Sequence, residues 1–224
     1  IEKKFDSKEV LKDAGFTFEK GKIYGLLGRN GAGKTTLFNC ISKEIEFENG
    51  TITLLDQDQE KELDFNQIGY AFSTPVLPEF LTGYEFIKFF MDINKEKLID
   101  AKTVEEYADM ISFNREDLDR LIKVYSHGMK NKIQMLCLLI SRPPVLLLDE
   151  PAAGMNPSET ADLMKNIRKI RDTFGIAIIL IEHDMSLVMN VCEDLAVLNF
   201  VRIIAKGKPE EIQANPAVIE AYLG

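Results

Sequence analysis

The chain is poor in cysteine and has no apolar run long enough to span a bilayer. Its three cysteines, Cys40, Cys137 and Cys192, lie far from any Cys or His at metal-ligand spacing, so buried thiols in a reducing compartment are expected. The most apolar window, residues 133–148, is interrupted at 141–144, and each part is too short for a membrane span. No N-terminal stretch has the order of a signal peptide. We therefore expect that any work at a membrane requires another protein as anchor.

The chain is also short of positive charge. It has 27 Lys and Arg against 36 Asp and Glu, which gives a formal net charge of −9 at pH 7. Proteins that bind nucleic acid mainly through phosphate contacts carry an excess of basic residues, so we expect no nucleic-acid partner. A length of 224 residues with 46% apolar residues fits one large α/β domain, or a core with a subdomain.

A phosphate-binding pattern near residue 30 is the strongest motif that is present. Residues 22–27 have strand character, Gly-x-x-x-x-Gly-Lys-Thr follows, and residues 37–41 have a helical pattern. In this setting, backbone N–H groups of the glycine-rich loop and of the helix N-terminus bind phosphate. Lys34 adds a charge for the β- and γ-phosphates, and the Thr35 hydroxyl can bind Mg²⁺. The expected nucleotide contacts are Gly28, Asn30, Gly31, Gly33, Lys34, Thr35 and Thr36.

Strand and helix patterns alternate along much of the chain, and this alternation predicts the fold class. Strands are predicted at 10–11, 16–18, 51–55, 67–72, 145–149 and 176–181, helices at 157–172 and 185–192, and a hairpin at 195–205. We predict an α/β fold: a P-loop NTPase core with a mainly parallel sheet, preceded by N-terminal antiparallel strands. Ligands are then expected at the carboxyl ends of the strands.

The stretch after residue 73 shows helical patterns and no strand pattern. Thr82, with Glu85 three residues later, has the spacing of a capping box, and amphipathic helices are predicted from Thr82, over 95–111 and over 115–124. We interpret this stretch as an inserted α-helical subdomain. The predicted division is a nucleotide-binding α/β core of residues 1–73 and 126–224, with the helical subdomain (the helical block) at 74–125.

Two acidic residues end the apolar run at 145–148. Asp149, at the carboxyl end of a buried strand, can bind Mg²⁺ directly or through water. Glu150 points differently and can orient or deprotonate an attacking water. Alone, this pattern describes a strand that ends in a solvated loop equally well. Together with a P-loop in the same sheet, it predicts a site for Mg²⁺ and a nucleoside triphosphate.

The segment Tyr125-Ser126-His127-Gly128-Met129 resembles the signature segment of the ATP-binding subunits of ABC transporters. In isolation it describes a Ser-capped helix equally well. Residues 151–157 are similar to the D-loop of that family, His183 to its switch histidine, and Phe5 to the aromatic residue that stacks on adenine. The resemblance implies ATP and Mg²⁺ as cofactors, and contacts from Ser126 and Gly128 to nucleotide held by a partner subunit. It also implies catalytic roles for Glu150, His183 and Lys34.

Several positions depart from the family pattern. Ser73 stands where the family has a Gln that contacts Mg²⁺ and water, and the Ser side chain is too short for the same reach. It stays a metal candidate beside Thr35 and Asp149. Asn156 replaces a D-loop Asp and lacks its charge. His127 replaces a signature Gly. Val201 lies in the predicted hairpin turn, and because a β-branched residue at positive φ would be strained, we expect a different turn type.

The resemblance is uneven along the chain, and this decides between kinds of transporter. Up to about Leu139 it is to exporter-type subunits, and from about Asp149 it is to branched-chain amino acid importer subunits. The chain is either a chimera joined near residues 143–151 or a native member of a divergent lineage. Because the helical block meets the permease in this family, an exporter-type subunit is favoured. The alternatives are an importer ATPase subunit of the branched-chain amino acid type and a nucleotide-binding module with impaired turnover.

The resemblance to ABC transporter subunits also implies partners and a location for this chain. The chain is expected to hydrolyse MgATP and to form a head-to-tail dimer with a second copy or a homologous ATPase subunit. It is further expected to bind transmembrane permease subunits as a peripheral protein at the cytoplasmic face of the cell membrane. A soluble ABC ATPase of repair or translation is disfavoured, because such proteins usually carry long coiled-coil insertions or two fused ATPase domains.

Overall fold

The computed structural model describes residues 1–56, 59–98 and 102–223. The strands in this part of the chain are β1 (Lys3–Phe5), β2 (Lys8–Leu11), β3 (Ile23–Leu27), β4 (Thr53–Asp56), β5 (Gln59–Glu62), β6 (Ile68–Ala71), β7 (Val145–Asp149), β8 (Ala177–Ile181), β9 (Asp194–Asn199) and β10 (Arg202–Gly207). The helices are α1 (Lys34–Ile41), α2 (Gly83–Ile93), α3 (Val104–Met110), α4 (His127–Ser141), α5 (Pro157–Phe174), α6 (Met185–Val191), α7 (Pro209–Gln213) and α8 (Pro216–Leu223). Within the described residues, none of these helices has the length and apolar character that crossing a membrane requires.

A six-stranded sheet forms the centre of the molecule, in the order β10-β9-β3-β8-β7-β6. The pairs from β9 to β6 are parallel, and only the edge strand β10 runs antiparallel to its neighbour. The strands β1 and β2 form a separate antiparallel pair, as do β4 and β5. The predicted mainly parallel core with N-terminal antiparallel strands is thereby confirmed. The carboxyl ends of β3, β8 and β7 lie side by side at one edge of the sheet.

The central strands are apolar on both faces because helices and loops cover both sides of the sheet. Along β7, Leu146 and Leu148 pack into one apolar layer, while Val145 and Leu147 pack into the other. The first layer includes side chains of α4, α5 and the helical block, and the second includes α1 and the N-terminal segment. This two-sided burial explains why the strands are continuous apolar runs in the sequence.

The predicted strand at residues 16–18 is wrong, because the aromatic side chains there serve ring packing. The rings of Phe16 and Phe18 stack with their centroids 4.6 Å apart. Both rings pack edge-on against Tyr24 of β3, at 5.5 and 5.0 Å. The backbone between residues 14 and 19 has no regular secondary structure. The alternation of apolar residues therefore reflects contacts with the sheet, and not membership of it.

In the helical block, the described residues contain shorter helices than the sequence predicts. Helix α2 begins as predicted, with Thr82 and Glu85 forming a capping box. The predicted helices at 95–111 and 115–124 are wrong in extent: each is replaced by short elements, and residues 99–101 lie outside the described residues. Thr103 caps a new helix, α3, and the chain reverses at Ser112, where φ is 53°. The 3₁₀ turns here are Lys95–Lys97, Arg115–Asp117 and Ile122–Val124.

The hairpin between β9 and β10 contradicts the expected change of turn type. Phe200 and Val201 have φ values of 35° and 71°, so both residues lie in the left-handed region. Two residues at positive φ match the twist of the paired strands, which favours this turn even without glycine. The carbonyl of Val201 also accepts a hydrogen bond of 2.7 Å from the backbone N–H of Lys12, beside β2. The strained residue is thus held by its position between two sheets.

We therefore expect Val201→Gly to stabilise the protein by about 0.5–1 kcal/mol. An L-residue in the left-handed region costs about 1–2 kcal/mol. Glycine removes this cost but loses more conformational entropy on folding, which offsets part of the gain. Thermal unfolding should show a midpoint increase of about 2–4 °C per kcal/mol for a domain of this size. Val201→Ala is the matched control, because it keeps a Cβ at the same φ. A Gly variant that melts below the Ala variant would contradict the assigned strain.

Candidate nucleotide-binding site

The loop between β3 and α1 is a cradle built from backbone. A Cβ on Gly28 would lie 2.4 Å from the carbonyl oxygen of Leu198 in β9, so only glycine allows this close approach. Gly33, at φ 101°, is the residue from which α1 starts, and it has no side chain to cap the helix. The first N–H groups of α1 are therefore available to an anion. Asn30 and Gly31, at the tip of the loop, are exposed.

Lys34 is buried under this loop. Its ammonium group donates hydrogen bonds to the carbonyl oxygens of Gly28, at 2.8 Å, and of Arg29, at 3.2 Å. Burial lowers the pKa of Lys34, while the nearby charges of Glu150 and Asp149 oppose this shift. The ammonium thus lies between the loop and the acidic strand end. Thr35 and Thr36 follow it in the first turn of α1, the former exposed and the latter half-buried.

Asp149 ends β7 within reach of the P-loop helix. The hydroxyl of Tyr70, in β6, lies 3.3 Å from Asp149 Oδ2 and 3.4 Å from Asn39 Oδ1, which belongs to α1. Burial raises the pKa of Asp149, and the charge of Glu150 adds to this effect. A bound cation would favour the ionised carboxylate. The Tyr70 side chain therefore connects the acidic strand end with α1, and the charges of Lys34 and Asp149 are close enough to affect each other.

Glu150 and His183 form a direct pair at the same edge. Oε1 of Glu150 lies 2.7 Å from Nε2 of His183, which follows β8. Glu150 has a left-handed backbone, with φ at 47°, and its N–H donates to the carbonyl of Ile181 at 2.9 Å. Strained backbone of this kind is frequent at functional sites. The structure thus brings together Lys34, Asp149, Glu150 and His183.

Ser126 and Gly128 lie at the start of α4, beside the start of α5. The Ser126 hydroxyl caps α4 by accepting a hydrogen bond of 3.2 Å from the N–H of Met129. A Cβ on Gly128 would lie 2.8 Å from Oε1 of Glu159. A cavity of about 190 Å³ borders both residues and lies between α4, α5 and the segment that follows α3. The contacts of the pair are thus with α5 and with this cavity.

Three further predicted positions have simple surroundings. Phe5 ends β1, is 48% exposed, and has the ammonium of Lys3 5.1 Å from its ring centroid. Ser73 follows β6 and is half-buried. Asn156 caps α5, and its side chain accepts hydrogen bonds from the N–H groups of Ser158 and Glu159. The side-chain oxygen of Asn156 therefore caps its own helix.

The residues at this edge fit ATP and Mg²⁺. The described part of the chain contains no group of three or more His, Cys, Asp or Glu side chains able to hold a metal ion. Mg²⁺ commonly takes one or two protein oxygens, with phosphates and waters completing its shell, and the Thr35 hydroxyl and the Asp149 carboxylate are oxygens of this kind. The cradle supplies N–H donors and one ammonium for the phosphates. A metal ion bound here would therefore take some of its ligands from the protein and the rest from the nucleotide phosphates and water.

Two residues beside the site were missed at the sequence level. Glu182 immediately precedes His183 and is only 7% exposed, and Asn131 in α4 is 3% exposed. The available signal for Asn131 was its spacing, because it stands three residues after Gly128 and four before Met135, on the buried face of α4. Glu182 carried no comparable signal, since an acidic residue after a strand usually reaches solvent.

The fold and the site together define an α/β protein of the P-loop nucleotide-binding class. The family model described as "ABC transporter" matches residues 11–153, and that described as "Branched-chain amino acid ATP-binding cassette transporter" matches residues 202–224. The chain therefore belongs to the ABC transporter family, as an ATP-binding subunit. ATP-binding subunits of this family bind ATP or ADP and are in general ATPases.

Curated relatives include ATP-binding proteins of branched-chain amino acid transport and of lipopolysaccharide export. The High-affinity branched-chain amino acid transport ATP-binding protein BraF of Pseudomonas aeruginosa is 31% identical over 230 residues, covering 92% of this chain and 88% of BraF. The Lipopolysaccharide export system ATP-binding protein LptB of Haemophilus influenzae is 30% identical over 230 residues, covering 100% of this chain and 95% of LptB.

Solved structures support the fold. A nucleotide-free ATP-binding cassette from an ABC transporter superposes with a TM-score of 0.83 at 23% identity, covering 100% of this chain and 96% of that one. A dimeric ATP-binding cassette in a post-hydrolysis state bound to ADP and Pi superposes with a TM-score of 0.74 at 18% identity, covering 93% and 95%.

These comparisons do not support the preference for an exporter-type subunit. That preference rested on the helical block, but the alignment with BraF covers 92% of the chain. The carboxyl-terminal residues 202–224 match the branched-chain amino acid model specifically. The importer alternative fits better, because both the alignment with BraF and the carboxyl-terminal match point to it.

Proposed function

We propose that this chain hydrolyses MgATP to power an importer of the branched-chain amino acid type. The observation that carries the hydrolytic part is the position of Glu150, next to Asp149 in sequence and paired with His183 at 2.7 Å. A carboxylate so placed, beside a metal-binding oxygen and a phosphate cradle, has the properties of a general base for water. The importer part rests on the carboxyl-terminal similarity and on BraF.

The proposed chemistry assigns one role to each side chain. The N–H groups of the cradle and the Lys34 ammonium hold the β- and γ-phosphates. Thr35 and Asp149 would hold Mg²⁺, which would neutralise phosphate charge. Glu150 accepts a proton from the water that attacks the γ-phosphorus in line, and the bond to the ADP oxygen breaks. His183 orients Glu150 through its Nε2–H group, which it shares with the γ-phosphate when ATP is bound. Catalysis in this scheme is mainly positioning and charge stabilisation.

The remaining contacts are proposed to come from Phe5 and Ser73 of this chain, from a second ATPase subunit and from permease subunits. Phe5 stacks on adenine, and Ser73 contacts Mg²⁺ through water. A second copy or a homologous ATPase subunit, docked head to tail, supplies Ser126 and Gly128 to the γ-phosphate. The helical subdomain, residues 74–125, faces permease subunits, so the protein works at the cytoplasmic face of the membrane. The exposed apolar side chains of Val76 and Phe80, 87% and 80% accessible, support a protein contact there.

The second candidate function is a nucleotide-binding module with impaired turnover, and the short Ser73 side chain favours it. Single-turnover hydrolysis distinguishes this module from the proposed ATPase. Purified protein in excess over radiolabelled ATP, with Mg²⁺, is expected to release phosphate within minutes. Lys34→Met, expected to bind ATP about 100-fold or more weakly, gives the background. Binding of ATP without release of phosphate above this background would support the module instead. Leucine uptake by proteoliposomes that contain the co-purifying permease would then test the importer assignment, with a lipopolysaccharide-type cargo as the contrasting outcome.

A further inference from the structure

The Pro151–Ala152 peptide group, one residue beyond Glu150, is held from both sides by buried polar side chains. Its carbonyl, on Pro151, accepts a hydrogen bond of 3.4 Å from the Asn131 amide. Its N–H, on Ala152, donates to Oε1 of Glu182 at 2.8 Å. Asn131 comes from α4 and Glu182 follows β8, so two separate elements hold the two ends of one peptide group.

The other side of Glu150 is held by the same strand end. The N–H of Glu150 donates to the carbonyl of Ile181, the residue before Glu182. Glu150 thus lies between two anchored peptide groups while its own φ is 47°, in the left-handed region. A non-glycine residue leaves this region readily unless its surroundings hold it there. The two anchors fix the direction in which the Glu150 side chain leaves the backbone.

Because Asn131 and Glu182 are buried, losing their hydrogen bonds would be costly. Asn131 is 3% and Glu182 is 7% exposed, and burial raises the pKa of Glu182. A buried polar group without a partner loses its hydration free energy, so each side chain depends on the loop that it bonds. The second oxygen of Glu182 accepts from the N–H of His183 at 3.2 Å. One carboxylate therefore contacts the backbone of the loop after Glu150 and that of the residue paired with Glu150.

We propose that Asn131 and Glu182 are positioning residues that hold the Pro151–Ala152 peptide, and through it the Glu150 carboxylate, in the place from which it acts on water. The proposal rests on the proposed function, hydrolysis of ATP with Glu150 as base. Neither residue has a role in the chemistry proposed above, and both act through the backbone that carries Glu150. Their loss is therefore expected to lower kcat while the affinity for ATP stays nearly unchanged.

Three variants separate positioning from simple stability. Glu182→Gln keeps an oxygen that accepts the N–H of Ala152 and loses only the longer contact of 3.2 Å with the N–H of His183, so kcat should stay within about threefold. Glu182→Met has similar length and no strong acceptor, so it also loses the hydrogen bond from Ala152, and it should lower kcat about tenfold or more, with KM for ATP within about twofold. Asn131→Asp removes the donor to Pro151 at the other end of the peptide and should have a similar effect.

Asn166→Asp is the matched control. Asn166 is a buried asparagine, 7% exposed, that donates to a backbone carbonyl, that of Ile111, at 3.1 Å, away from the loop after Glu150. Equal losses of kcat in Asn131→Asp and Asn166→Asp would overturn the proposal, as would equal kcat in Glu182→Met and Glu182→Gln. Should Glu182→Met not fold, the comparison of the two asparagine variants carries the test.

A readout without turnover distinguishes this proposal from the proposed function. Amide hydrogen exchange at Ala152 should be slow in the wild type and in Glu182→Gln, and about tenfold or more faster in Glu182→Met or Asn131→Asp. If the wild type fails to hydrolyse ATP but Ala152 shows this pattern, the proposed function is wrong and the anchoring of the peptide stands. Unchanged exchange at Ala152 in all variants would overturn the anchoring itself.

Discussion

Replacement of Glu150 by glutamine is expected to lower kcat for ATP hydrolysis by about 100-fold to 10,000-fold, the range typical of a lost general base. The amide cannot accept the proton of the attacking water, but it has the same length and can keep the 2.7 Å contact with Nε2 of His183. The cradle and Lys34 are unchanged by this substitution. ATP should therefore still bind, and the bound state should persist because it is not converted to ADP.

Two measurements test this expectation. Phosphate release at saturating MgATP gives kcat. Because ATP stays bound to Glu150→Gln, the ATP-bound dimer should persist, and size-exclusion chromatography with and without MgATP detects it. Glu62→Gln is the control, because Glu62 is an exposed carboxylate on β5 that pairs with Lys43 at 2.6 Å, outside the site. Glu62→Gln should keep wild-type kcat. A Glu150→Gln variant with the full hydrolysis rate would remove Glu150 from the role of base.

Replacement of Lys34 by methionine is expected to weaken ATP binding by about 100-fold or more. The ammonium is buried against the loop, 2.8 Å from the Gly28 carbonyl, and is the charge that the cradle offers to the phosphates. Hydrogen bonds that involve a charged group contribute about 1.5–3 kcal/mol each, so losing one or two to the phosphates accounts for this factor. Methionine has a similar length, and release from burying a charge offsets the two lost hydrogen bonds to the loop.

Isothermal titration with ATP and with ADP provides the measurement for Lys34→Met. The loss should be larger for ATP than for ADP, because the ammonium is proposed to reach the γ-phosphate as well as the β-phosphate. Lys88→Met, in which an exposed lysine of α2 loses its pairing with Asp92 at 3.2 Å, should bind ATP as the wild type does. Wild-type affinity in Lys34→Met would show that the phosphates bind elsewhere.

The P-loop, the acidic strand end and the two-sided parallel sheet were predictable from the sequence because each is a local pattern. Glycine at fixed spacing, a lysine after it and apolar runs that end in Asp149 and Glu150 are set by neighbours along the chain. The same holds for the capping box of Thr82 and Glu85, which is confirmed. Where prediction was wrong, at residues 16–18 and in the helical block, apolar spacing reflected packing against other elements and was read as secondary structure.

Only the tertiary structure decided which side chains meet. The pairing of Glu150 with His183 and the anchoring of the Pro151–Ala152 peptide join residues 20 to 33 positions apart. Because β8 lies beside β7, the residues that follow these two strands meet, and the packing of α4 adds the contact from Asn131. A sequence pattern does not contain this arrangement. The left-handed turn at Val201 was likewise fixed from outside, by strand twist and by the hydrogen bond from Lys12. The sequence determined the chemical groups, and the sheet determined their geometry, because distances between strands depend on packing across the whole core.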